Sequence, residues 1–132
     1  MLALLVLGVL GIFGVLMFGT SPDPRGHGTH EQLGMTPCSW PRVHGMPCMT
    51  CGVTTSASLL LHGRPIAAFL TQPFGMLLTL TALLFIALSI SHLVRGECLA
   101  SRVAFWPWPK ILIFWVLLLL GAWYYKIQTF LP

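Results

Sequence analysis

Cys48 and Cys51 are separated by two residues in "HGMPCMTCGVTTS", residues 44–56, one of the few polar stretches of the chain. This spacing brings two sulfurs onto one tight turn, where Gly52 can take a positive φ. Such a turn can hold a metal or act as a dithiol. If a helix starts after the turn, its partial positive charge favours a thiolate at Cys51. A single Cys-x-x-C pair is not specific, because a zinc ribbon would carry two.

Further candidate ligands lie in the same part of the chain. They are Cys38, His27, His30, His44 and His62. Zinc accepts three cysteine sulfurs and one histidine nitrogen in a tetrahedral site. This chain could supply that set from Cys38, Cys48, Cys51 and one of His30 and His44. Covalent haem is disfavoured, because its attachment motif needs histidine where Gly52 stands.

The three thiols of this segment cannot all pair within one chain, which leaves three hypotheses for their chemistry. A disulfide could staple a loop that lacks a core, a metal could take all three thiols, or Cys48 and Cys51 could form a redox-active pair. We predict one disulfide within Cys38, Cys48 and Cys51 that involves Cys48, with one thiol free and no cofactor or stoichiometric metal. The fourth cysteine, Cys98, falls across the predicted membrane and cannot join them.

The rest of the chain has the composition of a membrane protein. Hydrophobic residues make up 56% and charged residues 8%, and the mean hydropathy is +0.85, far from the averages of soluble domains. A membrane-spanning helix needs roughly 17–25 apolar residues, and three runs approach this length. We predict an all-α integral membrane fold in the lipid bilayer, with three transmembrane helices at 1–19, 66–94 and 111–130. They are joined by a Cys/His loop at 20–65 and a basic aromatic loop at 95–110.

The first apolar run could instead be a signal peptide. However, no lysine or arginine precedes Leu2–Phe18, and the stretch "LMFGTSPDP" lacks a small-x-small cleavage site. A signal peptide normally has both features. We therefore expect the first helix to be retained as a span.

A short interfacial helix is predicted inside the Cys/His loop, near 55–62. Three hydroxyl residues could cap its start: Thr54, Thr55 and Ser56. Gly63 suits the left-handed residue after a helix end, and Pro65 prevents continuation. Because three leucines follow one another in this helix, we expect it to lie in the membrane interface or against the bundle. The second span then begins at Pro73, or runs as one kinked helix from Pro65.

The formal net charge of +4 does not indicate nucleic-acid binding. The basic residues are scattered over loops and ends, and no cluster could follow a phosphate backbone. Their distribution suits topology determinants. Arg95, Arg102 and Lys110 are concentrated in the short loop, which predicts a cytoplasmic short loop and an extracytoplasmic cysteine loop.

The segment "CMTCGVT", residues 48–54, followed by a short helix and an apolar helix with proline near its start, resembles an uncharacterised bacterial membrane family, the domain of unknown function 2752. The family's signature reads roughly C-P-x-C-G-x-T-R, and the resemblance covers about 37–94. Met49 stands in place of the usual proline, Thr55 in place of the arginine, and Gln72 in place of the asparagine of an Asn-Pro pair. The resemblance implies a bacterial cytoplasmic membrane protein and brings no known reaction.

Neither transport nor carboxylate catalysis has the residues that it needs. Asp23, Glu31 and Glu97 are the only acidic residues, and no two lie close in sequence. The apolar runs also lack the buried charges that mark ion pathways. We predict a small non-enzymatic membrane protein whose cysteine loop is an ordered platform for a partner. The residues that would support its turn and helix cap are Gly52, Thr54 and Thr55.

The predicted partner is another membrane protein or a second copy of the chain. Gly8, Gly11 and Gly14 in the first span are spaced by three and would let another helix approach closely. The alternative hypothesis is an envelope thiol-disulfide or metal-handling protein that uses Cys48 and Cys51.

Overall fold

The computed structural model describes residues 2–96 and 103–129, and this part of the chain is helical without a β-strand. The all-α expectation is confirmed for these residues. The helices are α1 Leu2–Phe18, α2 Trp40–His44, α3 Val53–Leu61, α4 Pro65–Thr71, α5 Pro73–Arg95 and α6 Trp108–Thr129, with a 3-10 turn at Thr29–Leu33. The predictions for Glu97, Cys98 and Arg102 lie outside the described residues.

Two helices, α5 and α6, are long and apolar enough to cross a membrane. Only 17% of the apolar window of α5 and 11% of that of α6 is buried within the chain, so neither is the core helix of a soluble domain. Helix α1 has 17 residues without a charge and stands at the short end of the spanning range. The structure thus supplies two candidate spans and a shorter apolar helix where the sequence predicted three spans.

Helix α3 lies at the centre of the helical contacts, against α1, α4 and α5. Its residues Thr55, Ser56, Ala57, Ser58 and Leu59 are buried. These small side chains let α3 pack closely on α5. The two helices are so close at Gly75 of α5 that a Cβ there would lie 2.9 Å from Val53 Cα. Of the two places expected for this helix, the structure has it against the bundle.

The start of α3 corrects the predicted cap. The helix begins at Val53, and its N-cap residue is Gly52, which makes no side-chain cap bond. Thr54 and Thr55 therefore lie inside the helix, and the Thr55 hydroxyl accepts a hydrogen bond from Thr29 Oγ1 at 2.9 Å instead. The predicted cap is wrong because Gly52, with its φ of 86°, directs the chain into the helix at Val53, before the hydroxyl residues are reached.

The end of α3 follows the predicted chemistry. Gly63 has a φ of 73°, its amide donates to Leu60 O at 3.0 Å, and the Arg64 amide donates to Leu59 O at 2.9 Å. This pair of bonds is the Schellman arrangement that closes a helix with glycine. Pro65 then begins the separate helix α4.

A break at Gln72 separates α4 from α5. Gln72 is extended, with φ −162° and ψ 101°, and Pro73 occupies the first turn of α5. Proline disfavours a helical residue before it and has no amide hydrogen, which explains the break. The hydroxyl of Ser56 lies 2.8 Å from Ala68 O and 3.0 Å from Gln72 O, so α3 contacts the backbone of α4 and of the break itself.

Candidate functional site

The site lies in the cysteine loop, which we define as residues 20–52, and the end of α6 helps to hold this loop in place. Lys126 is only 6% exposed, and its ammonium donates to Gly26 O at 3.1 Å and Thr71 O at 3.2 Å. In the described part of the chain this ammonium has no carboxylate partner. An unpaired buried charge is costly, so its carbonyl contacts must be well formed.

Two aromatic residues of the same helical turn make further contacts with backbone carbonyls. Trp123 Nε1 donates to Pro47 O at 2.9 Å in the cysteine loop. The Tyr125 hydroxyl donates to Leu70 O at 2.9 Å in α4. Tryptophan and tyrosine at the end of an apolar helix usually mark the membrane interface, and Lys126 is one of the scattered basic residues of the sequence. The local pattern contains no signal for these contacts, because their partners are more than 50 residues away.

Gly52 is the residue of the cysteine turn that lies against Lys126 of α6. With its φ of 86°, it occupies the left-handed region that favours glycine. A Cβ at this position would lie 2.7 Å from Gly26 O and 3.3 Å from Lys126 Nζ. The turn after Cys51 therefore requires glycine both for its conformation and for the close approach of Gly26.

The structure brings Cys38 and Cys48 together. Their sulfurs are 3.8 Å apart, and the Cys38 thiol donates toward Cys48 Sγ. The Thr50 hydroxyl oxygen lies 3.6 Å from the same sulfur. Cys38, Cys48 and Cys51 are free thiols, so the described residues contain no disulfide among these three, although the pair closest to bonding includes Cys48.

Cys51 does not have the thiolate character expected of a residue before a helix. Its side chain is buried, and burial raises the pKa of the thiol to about 11, with nearby Cys48 adding to the rise and Lys126 opposing it. Burial also raises the pKa of Cys38. The prediction for Cys51 was wrong because the desolvation of the sulfur outweighs the partial charge of the helix start.

The cysteines and histidines do not assemble into a metal-binding cluster in the described ranges. No group of three or more cysteine, histidine or acidic side chains there is arranged to hold a metal ion. His44 ends α2 and its ring lies against Trp40, with ring centroids 4.2 Å apart. His30 lies in the 3-10 turn and lines the cleft described next. The Cys₃His zinc site therefore lacks its ligand geometry in this structure.

A cleft of about 670 Å³ opens beside the thiols. Its volume falls within the usual range of ligand pockets, roughly 300–1,000 Å³. The polar groups on its walls include Cys38, Cys48, Cys51, Arg42, Thr50 and Thr54. All three cysteines of the loop thus face one cavity.

An ion-pair cluster stiffens one wall of this cleft. Arg25 binds Asp23 at 2.7 Å and Glu31 at 3.1 Å, and the Arg25 guanidinium lowers the pKa of the Asp23 carboxyl. Arg42, by contrast, makes no side-chain hydrogen bond or ion pair within the described ranges. Its guanidinium is exposed and available to a bound molecule.

Gln72 is a further residue that sequence reasoning did not assign to the site. It is fully buried, its amide nitrogen donates to Met49 O at 3.4 Å, and its Oε1 has no hydrogen-bond partner in the described part of the chain. The contact links the start of α5 to the turn between the two cysteines. The Gln-Pro pair, already noted in the sequence, was the available signal.

Comparison with known proteins finds a relationship at the level of a family only. No curated protein matches the chain. No solved structure matches it either. The family described as Protein of unknown function (DUF2752) matches residues 38–86, which confirms the resemblance to this family. The matched segment begins at Cys38 and includes Cys48, Cys51 and Gly52.

Proposed function

We propose that this protein is a small integral membrane protein that holds its cysteine loop as an ordered platform for a partner at one face of the membrane. The two candidate spans, α5 and α6, support the membrane location. The family resemblance suggests a bacterial cytoplasmic membrane, and the charge distribution favours the extracytoplasmic side for the loop.

The observation that carries the proposal is the set of side chains that the last turns of α6 direct to backbone carbonyls. Trp123, Tyr125 and Lys126 together bind the cysteine loop and α4. A typical hydrogen bond contributes about 0.5–1.5 kcal/mol, and one from a charged group about 1.5–3 kcal/mol. Their sum is enough to hold a segment that has few apolar contacts of its own.

The outer face of the platform has the features of a binding surface. Trp40, Val43, Met46 and Met49 are exposed on the loop, beside the cleft and the unpaired Arg42. Exposed apolar side chains beside a cleft mark interaction sites more often than plain surface. Aromatic residues, methionine and arginine are also the residues enriched where proteins bind one another.

The experiment places a photoreactive amino acid at Thr50, which is exposed on the cleft wall, in cells that express the full chain. A discrete cross-linked protein product is expected. The same product should be lost in a Lys126→Met background, because the loop is no longer held. Leu112, exposed on α6, is the control position and should give the same pattern in both backgrounds. No product at Thr50, or a product that Lys126→Met leaves unchanged, would contradict the proposal.

A further inference from the structure

Cys48 Sγ is the centre of a small hydrogen-bonding group on the cleft wall. It accepts from the Cys38 thiol at 3.8 Å, and the Thr50 hydroxyl lies 3.6 Å away. Both neighbours carry a hydrogen that can be directed at this sulfur, so they hold it in one position on the cleft wall. A sulfur held at the edge of a cleft is placed to meet a bound molecule, and the thiolate is the nucleophile in thiol chemistry.

Cys38 is placed to react with Cys48 in a second step. A disulfide needs the two sulfurs at about 2.05 Å, so they must approach by roughly 1.8 Å. The segment between them contains the short helix α2, which has no buried residue, and ends at Pro47, which is buried and bound to Trp123 of α6. Because Pro47 holds Cys48 in place, the approach falls on Cys38 and α2, which can move without disturbing α3 or the contacts with α6.

From this arrangement we propose that Cys48 is the attacking sulfur and Cys38 the resolving sulfur of a thiol–disulfide exchange with a disulfide-bearing protein partner bound in the cleft. This inference rests on the platform proposed above and names the chemistry of its partner. Cys51 takes no part, because its side chain is only 7% exposed although it lines the cleft.

The exchange balances in two steps. The Cys48 thiolate attacks one sulfur of the partner's disulfide, which forms a mixed disulfide and releases the other partner sulfur as a thiolate. The Cys38 sulfur, after losing its proton, attacks Cys48 Sγ and releases the second partner sulfur. The partner's disulfide is thereby reduced to two thiols, and Cys38 and Cys48 are oxidised to one disulfide. The protons of the two cysteines end on the two released sulfurs.

The cleft has walls suited to a peptide segment around such a disulfide. Besides the thiols, Met35, Pro37, Pro41 and Val53 line it. Apolar walls with a few polar groups are typical of sites that bind organic ligands. The Arg42 guanidinium on the same wall can bind a backbone carbonyl or a carboxylate of the peptide.

The test uses the reduced full-length chain in lipid nanodiscs and a fluorescent peptide whose single cysteine is disulfide-linked to glutathione. The wild type should release both thiols and acquire a Cys38–Cys48 disulfide, identified by mass spectrometry. Cys38→Ser should keep a covalent adduct on Cys48 that dithiothreitol removes. Cys48→Ser should lose at least ~90% of adduct formation, because the attacking thiolate is gone. Cys98→Ser, which changes a cysteine outside the loop in the sequence, is the matched control and should behave as the wild type.

A second pair of variants tests the role of Thr50 as a positioning residue. Thr50→Val removes the hydroxyl next to Cys48 while keeping the shape of the side chain, and it should slow adduct formation about tenfold. Thr50→Ser keeps the hydroxyl and should restore the wild-type rate. Only protein that elutes as the wild type in detergent is compared.

The inference is overturned if Cys38→Ser accumulates no more adduct than Cys48→Ser, or if the adduct maps to Cys51. Because the probe is a small peptide in solution, exchange does not require the natural partner. A failed exchange beside an intact cross-link at Thr50 rejects the chemistry and leaves the platform standing. A successful exchange without that cross-link rejects the platform alone.

Discussion

Gly52 is a residue at which backbone conformation and packing both exclude a side chain. Its φ of 86° strains any other residue, at a cost of about 1–3 kcal/mol. A Cβ would also press against the carbonyl oxygen of Gly26 and the ammonium of Lys126. The Gly26 carbonyl is part of the backbone, so it cannot move aside as a flexible side chain can. The glycine after the second cysteine is thus a consequence of how the loop packs on α6.

We expect Gly52→Ala to lower the free energy of unfolding by at least ~1 kcal/mol more than Gly34→Ala does. Gly34 is the matched control, because it has a similar φ of 78° but open space where a Cβ would stand. The measurement is denaturant unfolding of the purified proteins in detergent. Equal losses for the two variants would mean that the contact with Gly26 does not constrain the turn.

At this scale the sequence located the turn that carries the thiols but not their arrangement. The Cys-x-x-C spacing predicts that Cys48 and Cys51 share a turn, and the Cys51 amide does donate to Cys48 O at 3.0 Å. Which sulfur faces which depends on the path of residues 38–48 and on burial. Cys51 is buried, whereas the path of the loop brings the Cys38 sulfur to 3.8 Å from that of Cys48. Neither fact can be read from local spacing.

Among the elements, α4 rather than α3 is the candidate for the interfacial helix that the sequence predicted. Ile66, Phe69 and Leu70 are exposed on this short helix, and Leu70 O accepts from the Tyr125 hydroxyl. Tyrosine and tryptophan concentrate at the membrane–water interface. We therefore expect α4 to lie at the membrane interface, at the depth of Tyr125, while the leucine-rich α3 is enclosed by its neighbours.

A spin label at Ile66 should report this interfacial position. In a variant with the native cysteines replaced by serine, Ile66→Cys carrying a nitroxide in lipid vesicles should collide more with oxygen than with a water-soluble nickel chelate, because oxygen concentrates in lipid. Thr36→Cys, at an exposed loop position, is the control and should show the opposite preference. A nickel-dominated signal at Ile66 would place α4 in water.

The ends of the short helices could be predicted where local chemistry determines them. Gly63 and Pro65 end α3 and begin α4 through their own backbone preferences. The start of α3 at Val53 could not be predicted in this way. A hydroxyl residue caps a helix only where the preceding turn places it at the N-cap position, and here that position is Gly52. The contacts of α6 with the loop join residues 76 and 100 positions apart, and helical periodicity carries no information about such pairs.

At the scale of the whole molecule, the long helices have few neighbours while one end of the structure is closely packed. Contacts between α5 and α6 include an edge-to-face pair, Phe74 and Trp115, with centroids 5.8 Å apart. The packed end is formed by the cysteine loop, α3, α4 and the last turns of α6. Composition predicts the apolar helices, since lipid is their natural surroundings. The packed end contains buried serine and threonine side chains. In a sequence, such residues are more typical of loops than of a packed core.

Amide hydrogen exchange in lipid nanodiscs tests most directly whether α6 holds the loop. The peptides to follow cover residues 44–56, where the amides of Cys51 and Val53 close the turn. Trp123→Phe and Lys126→Met each remove a donor to the loop, and each should speed exchange there about tenfold, the effect of losing roughly 1.4 kcal/mol of hydrogen bonding. Tyr124→Phe is the matched control, because Tyr124 is 67% exposed, and it should leave exchange as in the wild type. Exchange that stays at the wild-type rate in both Trp123→Phe and Lys126→Met would contradict the account.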